Sequence, residues 1–281
     1  MIYVVITIDV EDSERYLTDD RTEEFNNMIY GNVEGAYYGF PKIMEICRKY
    51  EISSTFFLDV FEEKMYGESK FIKVCEQIKS EGFDLQLHIH PYRAYDLKRS
   101  SMWQYSLEEQ IEMIKNGKQI LTKWIRERCI AYRGGNFYGI DQNTFIALKE
   151  NDIYVDSSSF YGHPNCKAVV TKNKVVEHKG IIEVPVTVFR RDNIAKLGKH
   201  TIKRNSNFIK TDIDWATLDE LKWFVKEAKE NDIKVMNLFM HSYSLLKFDT
   251  NFKHFEPDWN DIDKLDKFLE FIANDPEIKV I

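Results

Sequence analysis

Short apolar runs alternate with longer amphipathic segments along most of the chain. The run IYVVITID, Ile2 to Asp9, is apolar until its last residue, as in a strand covered on both faces. FPKIMEICRKY sets Ile43, Ile46, Cys47 and Tyr50 at helical spacing. SSTFFLDV predicts a second strand. SKFIKVCEQIKSEG predicts a helix with Ser69 as cap and Gly82 beyond its end. FDLQLHIH is a third strand, closed by Pro91, which cannot donate to a ladder. The long segment from Ser106 opens with an acid three positions on, a capping box. CIAYR and IYVDSS are further strands, separated by the helix DQNTFIALKEN with Asp141 as cap. GIIEVPVTV reads as a strand, TLDELKWFVKEAKEND as a helix, IKVMNLFMH as a strand and DIDKLDKFLEFIAND as a closing helix.

Strands that alternate with helices form parallel sheets. About seven such units favour a (β/α) barrel over an open sheet. The expectation is one domain over residues 1–281, with an insertion at about 160–215, where the pattern is polar and mixed. Residues Ser13 to Phe40 are also irregular and rich in aromatics, and read as a long loop.

Composition narrows the class. The 281 residues are 43% hydrophobic, enough for a sizeable core, and the net charge of -7 with no basic stripe argues against a nucleic-acid partner. No apolar run approaches the length of about 20 residues that spans a bilayer. Cys47, Cys75, Cys129 and Cys166 are scattered, with no zinc-finger or disulfide spacing. Together with an N-terminus that lacks a basic leader, this predicts a cytoplasmic protein.

Parallel α/β folds collect their chemistry at the carboxyl ends of strands. Asp9, Glu11, His88, His90, Arg133, Asp156 and His241 all fall at such ends. Strand alternation turns His88 and His90 to one face, which suits a metal ion, although two surface histidines beside a turn would give the same pattern. Asp9 and Glu11 are two apart. One can bind metal while the other takes a proton, and Asp12 is the reserve if the strand ends early. Arg133, before two glycines, needs a carboxylate partner such as Asp9 or Asp156. His241 has the titration range of a general acid.

The order T-hydrophobic-D-x-[DE], STFFL, a histidine pair, R-G-x-x-F/Y-G, D-S and a late hydrophobic-x-H-S resembles the polysaccharide deacetylases. This is the NodB-homology superfamily of carbohydrate esterase family 4, in the branch found in surface-polysaccharide gene clusters. The resemblance runs from Ile2 to about Asp156 and resumes around Val235 to Leu246. It implies a distorted barrel, one divalent metal ion, usually zinc, and removal of an N- or O-acetyl group from a sugar. It implies Asp9 as catalytic base, Glu11 and His88 as metal ligands, and Arg133 as the group that holds the base. It further implies an oxyanion-binding N–H at Asn136 or Phe137, Asp156 as a later acid near Arg133, and His241 as general acid. Two departures stand out. Tyr92 occupies the usual place of the second metal histidine, so His90 must substitute, and the acidic ligand is Glu instead of Asp. The partners implied are an acetylated sugar, a sugar nucleotide or a lipid-linked glycan. A small non-sugar amide, or a degenerate carbohydrate-binding barrel, are the alternatives.

Overall fold

The computed structural model describes residues 1–13, 20–168, 170–190, 208–250 and 254–281, with Ala94 and Phe137 described by backbone only. The first strand, β1 (Ile2–Val10), shows why the sheet forms. Ile2, Val4, Ile6, Ile8 and Val10 are all buried on one face. Thr7 and Asp9 are buried on the other. Only a strand covered on both sides hides residues of both parities.

The other sheet strands are β2 (Thr55–Asp59), β3 (Asp84–Ile89), β4 (Ala131–Gly134), β5 (Val155–Asp156), β6 (Ile181–Glu183), β7 (Val235–His241) and β8 (Ile278–Val280). The spatial order is β7-β1-β2-β3-β4-β5-β6, every neighbour parallel. The short strand Val176–His178 adds antiparallel to β6, and β8 pairs with the start of β1. The sheet curls into a half-barrel, as expected of a distorted (β/α) barrel. Between its two lateral edges, the Thr211 N–H donates to the Thr187 carbonyl and the Phe239 N–H to the Thr211 carbonyl, at 3.0 and 2.8 Å.

The helices are α1 (Arg21–Met28), α2 (Phe40–Lys49), α3 (Glu68–Ser80), α4 (Leu107–Ile125), α5 (Gln142–Glu150), α6 (Leu218–Glu230) and α7 (Trp259–Ala273). Ser106 and Asp141 cap α4 and α5 as the sequence predicts. Ser69 does not cap α3. That helix starts at Glu68 after Gly67, whose φ of 93° ends the preceding turn, and among the described residues no side chain caps it. The expected loop from Ser13 to Phe40 contains α1, opened by the Asp20 carboxylate, which accepts from the Thr22 and Glu23 N–H groups. Residues 14–19, with Tyr16, lie outside the described residues. The expected strand GIIEVPVTV divides into Ile181–Glu183 and Val188–Arg190, the latter paired antiparallel with Phe208–Lys210. Within the expected insertion, therefore, β6 is a sheet strand, and residues 191–207 lie outside the described residues.

Candidate metal centre

The site lies where β1, β3, β4 and β7 end. Parallel registry aligns Asp9 with His241 and His88 with Arg133, so four chemically useful side chains emerge on one rim. His88 is the next-to-last residue of β3. His90 lies one residue past the strand but keeps an extended backbone, with φ −99° and ψ 105°, so the alternation carries through. Pro91 then opens a one-turn helix, Pro91–Ala94, at the position proline favours.

The His88 Nε2 lies 2.9 Å and the His90 Nε2 2.6 Å from one oxygen of Glu11, Oε2. Among the described residues, these three form the one group of potential metal-ligating side chains whose ligand atoms lie within 4.8 Å of one another. The tautomer of His88 follows from its other nitrogen. Nδ1 lies 2.9 Å from the Arg133 carbonyl, which can only accept, so Nδ1 carries the hydrogen and Nε2 is left to ligate. Burial pulls the His88 imidazole down, but Asp9 and Glu11 outweigh it and push it up to about 9. Burial pushes the Glu11 carboxyl up, yet His90 and His88 hold it well below the usual carboxylate range. A buried carboxylate facing two imidazoles is a donor set that fits one divalent ion of the zinc type.

Glu11 reaches this position although β1 ends at Val10. Its flanking peptides are clamped. The Ser242 hydroxyl donates to the Glu11 carbonyl at 3.0 Å. The Asp12 N–H donates to Glu62 Oε1 at 2.7 Å, and Arg93 Nη2 donates to the Asp12 carbonyl at 3.1 Å. Asp12 is not part of the group formed by Glu11, His88 and His90, and its side chain accepts from the Tyr66 hydroxyl at 3.0 Å.

Asp9 and Arg133 form a buried ion pair, with Arg133 Nη1 2.9 Å from Asp9 Oδ1. The guanidinium lies between the Phe57 and Phe239 rings, 4.4 and 5.1 Å from their centroids, and also donates to the Ser157 carbonyl and hydroxyl. The second oxygen of Asp9 lies 3.8 Å from His88 Nε2. Asp156 lies close enough to feel the Arg133 charge, but its hydrogen bonds go elsewhere. It accepts from the Ser158 hydroxyl at 2.6 Å and faces Glu183, and that hydroxyl in turn accepts from the Gly134 N–H.

His241 closes the far side. Its Nε2 is 3.7 Å from Glu11 Oε1 and its Nδ1 3.7 Å from Asp214 Oδ2, and its ring stacks on Tyr243. Asn136 and Phe137 belong to the turn Gly135–Tyr138, where Asn136 and Tyr138 both have positive φ, 51° and 60°. The Asn136 amide donates to the Ser100 and Ser101 hydroxyls. The Phe137 side chain lies outside the described residues.

A cleft of about 630 Å³ opens over these groups. Its wall includes residues with no role expected from the sequence: Tyr92, Lys210, Asp214, Trp215 and Tyr243. Lys210 is buried in an ion pair with Asp212 at 2.7 Å. The available signal was the alternation KTDIDW, which ends a polar stretch with acids on either side of an apolar residue.

No protein-family profile matches the chain, and no curated protein sequence does. Solved structures do. A Mycobacterium smegmatis protein assigned as a polysaccharide deacetylase superposes with a TM-score of 0.60 at 15% identity, covering 99% of this chain and 85% of its own. The chain has the polysaccharide-deacetylase fold. The deacetylase fold also carries other chemistry. A 4-alpha-glucanotransferase from Thermococcus litoralis matches with a TM-score of 0.61 at 12% identity, over 100% of this chain and 39% of that one. The allantoinase Puue matches with 0.58 at 12%, over 99% and 86%. The shared fold therefore fixes the architecture, and the activity must be argued from the site.

Proposed function

We propose that the chain is a metal-dependent hydrolase that removes the acetyl group from an acetylated sugar in surface-polysaccharide metabolism. The observation that carries this reading is the convergence of His88 and His90 on Glu11 beside an arginine-held Asp9. Glu11, His88 and His90 would hold one divalent ion, zinc by the chemistry of the donors. Such an ion supplies Lewis acidity, polarising an acyl carbonyl and acidifying a water. Asp9, with Oδ1 occupied by Arg133, offers Oδ2 as the base that takes the water's proton. A backbone N–H in the Gly135–Tyr138 turn donates to the developing oxyanion, an interaction worth roughly 2.7–4 kcal/mol. His241, stacked on Tyr243 and with Asp214 3.7 Å from its Nδ1, gives its proton to the leaving amine or alcohol. Asp156 supports the Arg133–Gly134 backbone through Ser158.

The substrates in view are an N-acetylated sugar, a sugar nucleotide or a lipid-linked glycan. Among the described residues, no helix is long and apolar enough to cross a membrane. The test is elemental analysis of the purified protein, followed by assay against acetylated sugars, sugar nucleotides and small cyclic amides. About one equivalent of zinc and release of acetate are expected. Asp9→Asn should keep the metal and lose turnover by at least about a hundredfold, the scale of general-base catalysis. A fully active Asp9→Asn protein would sink the assignment. Turnover of the small amides alone would move the substrate away from sugars. Metal without any turnover would favour a carbohydrate-binding barrel.

A further inference from the structure

We propose that Gly135 is a positioning residue for the metal centre. Having no side chain there is what lets His90 serve as a ligand. The inference rests on the metal reading above. His90 lies one residue beyond β3, and its ring must cross the rim of the barrel to reach Glu11. The space it crosses belongs to the turn after β4. A Cβ built on Gly135 would stand 2.6 Å from His90 Cγ and 2.6 Å from Nε2, and closer still to Cδ2. Those are the three nearest atoms, and all belong to the one ring. Real Cβ atoms do not approach carbon or nitrogen that closely, so either the ring or the turn must move.

The ring is the part able to move. It is hydrogen-bonded to Glu11 at one nitrogen and meets the His88 and Tyr92 rings edge-on, while among the described residues its buried Nδ1 has no hydrogen-bond partner. The turn is held more firmly. The Gly134 N–H donates to Ser158, the Asn136 amide donates to Ser100 and Ser101, and Asn165 donates to the Asn136 carbonyl. Gly135 does not have the positive φ that would itself demand glycine. Alanine therefore suits the backbone, and the His90 ring is the obstacle. This separates Gly135 from a glycine kept for its conformation, and it links two motifs distant in sequence, HIHP and RGGN.

The experiment is a double-variant cycle on the full chain, with Zn2+ affinity measured by competition against a chromophoric chelator. Gly135→Ala should weaken Zn2+ binding at least tenfold, the low end for groups that orient a ligand. Metal-free Gly135→Ala should still melt cooperatively, because the backbone geometry there is open to alanine. In the His90→Ala background the same change should alter affinity less than twofold, because the ring it strikes is gone. Wild-type affinity in Gly135→Ala overturns the proposal, as does an equal loss in both backgrounds. Wild-type protein that binds no Zn2+ overturns the metal reading instead. The steric claim is then decided by a crystal structure of Gly135→Ala, where an unmoved His90 ring overturns it.

Discussion

His88 is where one side chain decides most. Its Nδ1–H is spent on the Arg133 carbonyl, so only Nε2 remains for a ligand or a second proton. Without metal, Asp9 and Glu11 outweigh the effect of burial and raise its pKa to about 9, from an ordinary 6.5. The folded state therefore holds that proton more tightly than the unfolded chain. The resulting stabilisation is fully present below about 6.5 and lost as pH rises through about 9. It amounts at most to roughly 3 kcal/mol. Metal-free protein should thus melt lower at pH 9 than at pH 6.5. The ion must displace the same proton, so its affinity should rise with pH over that window. Calorimetry in buffers of different ionisation enthalpy should detect proton release on binding at pH 7. Binding without proton release would contradict the assigned charge of His88. The histidine pair was legible in the sequence because period-two alternation needs only neighbouring residues. That alternation also named His90 as the substitute for Tyr92, and its ring does reach Glu11; what could not be read is the open space above Gly135 through which it passes.

Among the elements, the one-turn helix Pro91–Ala94 does more than its length suggests. It turns the chain back so that Arg93 is buried against carboxylates from two other segments. Arg93 Nη1 is 2.6 Å from Glu62 and Nε is 3.5 Å from Asp59. Burial pushes the Glu62 carboxyl well up, with Arg93 opposing it. The same Glu62 and Arg93 hold the Asp12 peptide next to Glu11. Arg93→Ala should therefore cost about 3–5 kcal/mol in denaturant unfolding, the scale for a buried charge left without its partner. Zn2+ affinity should fall with it as Glu11 loses its frame. A loss under about 1 kcal/mol would mean that solvent reaches the cluster. None of this clamp was readable beforehand, because Asp12, the Asp59–Glu62 turn and Arg93 come from three separate segments that only the fold joins. The helix α1 was missed for a related reason. RTEEFNNM has few apolar positions, and its burial depends on Phe25 meeting Tyr66 and Phe71 from later elements.

At the scale of the molecule, the half-barrel brings strands from both ends of the chain to one rim. Asp9 and His241 are register partners although 232 positions separate them. An ion bound only by the folded state stabilises the whole domain. At a free concentration 100-fold above Kd the gain is about 2.7 kcal/mol. That corresponds to roughly 5–10 °C in Tm for a chain of this size. Melting with Zn2+ and with excess chelator should differ by that margin in the wild type and by much less in His88→Ala. Equal shifts in both proteins would mean that the ion binds elsewhere.

Local chemistry alone determined the parallel α/β class, the capping of α4 and α5, and the residue types gathered at strand ends. Periodicity, caps and strand-ending proline act over a few residues, so they survive without the fold. The tertiary structure decided the rest. It set Glu11 rather than Asp12 toward the histidines, gave Arg133 to Asp9 rather than Asp156, and brought Asp214 and Trp215 to the cleft wall. Each of those choices depends on which segments share a rim, and that follows from strand order and burial across the whole chain.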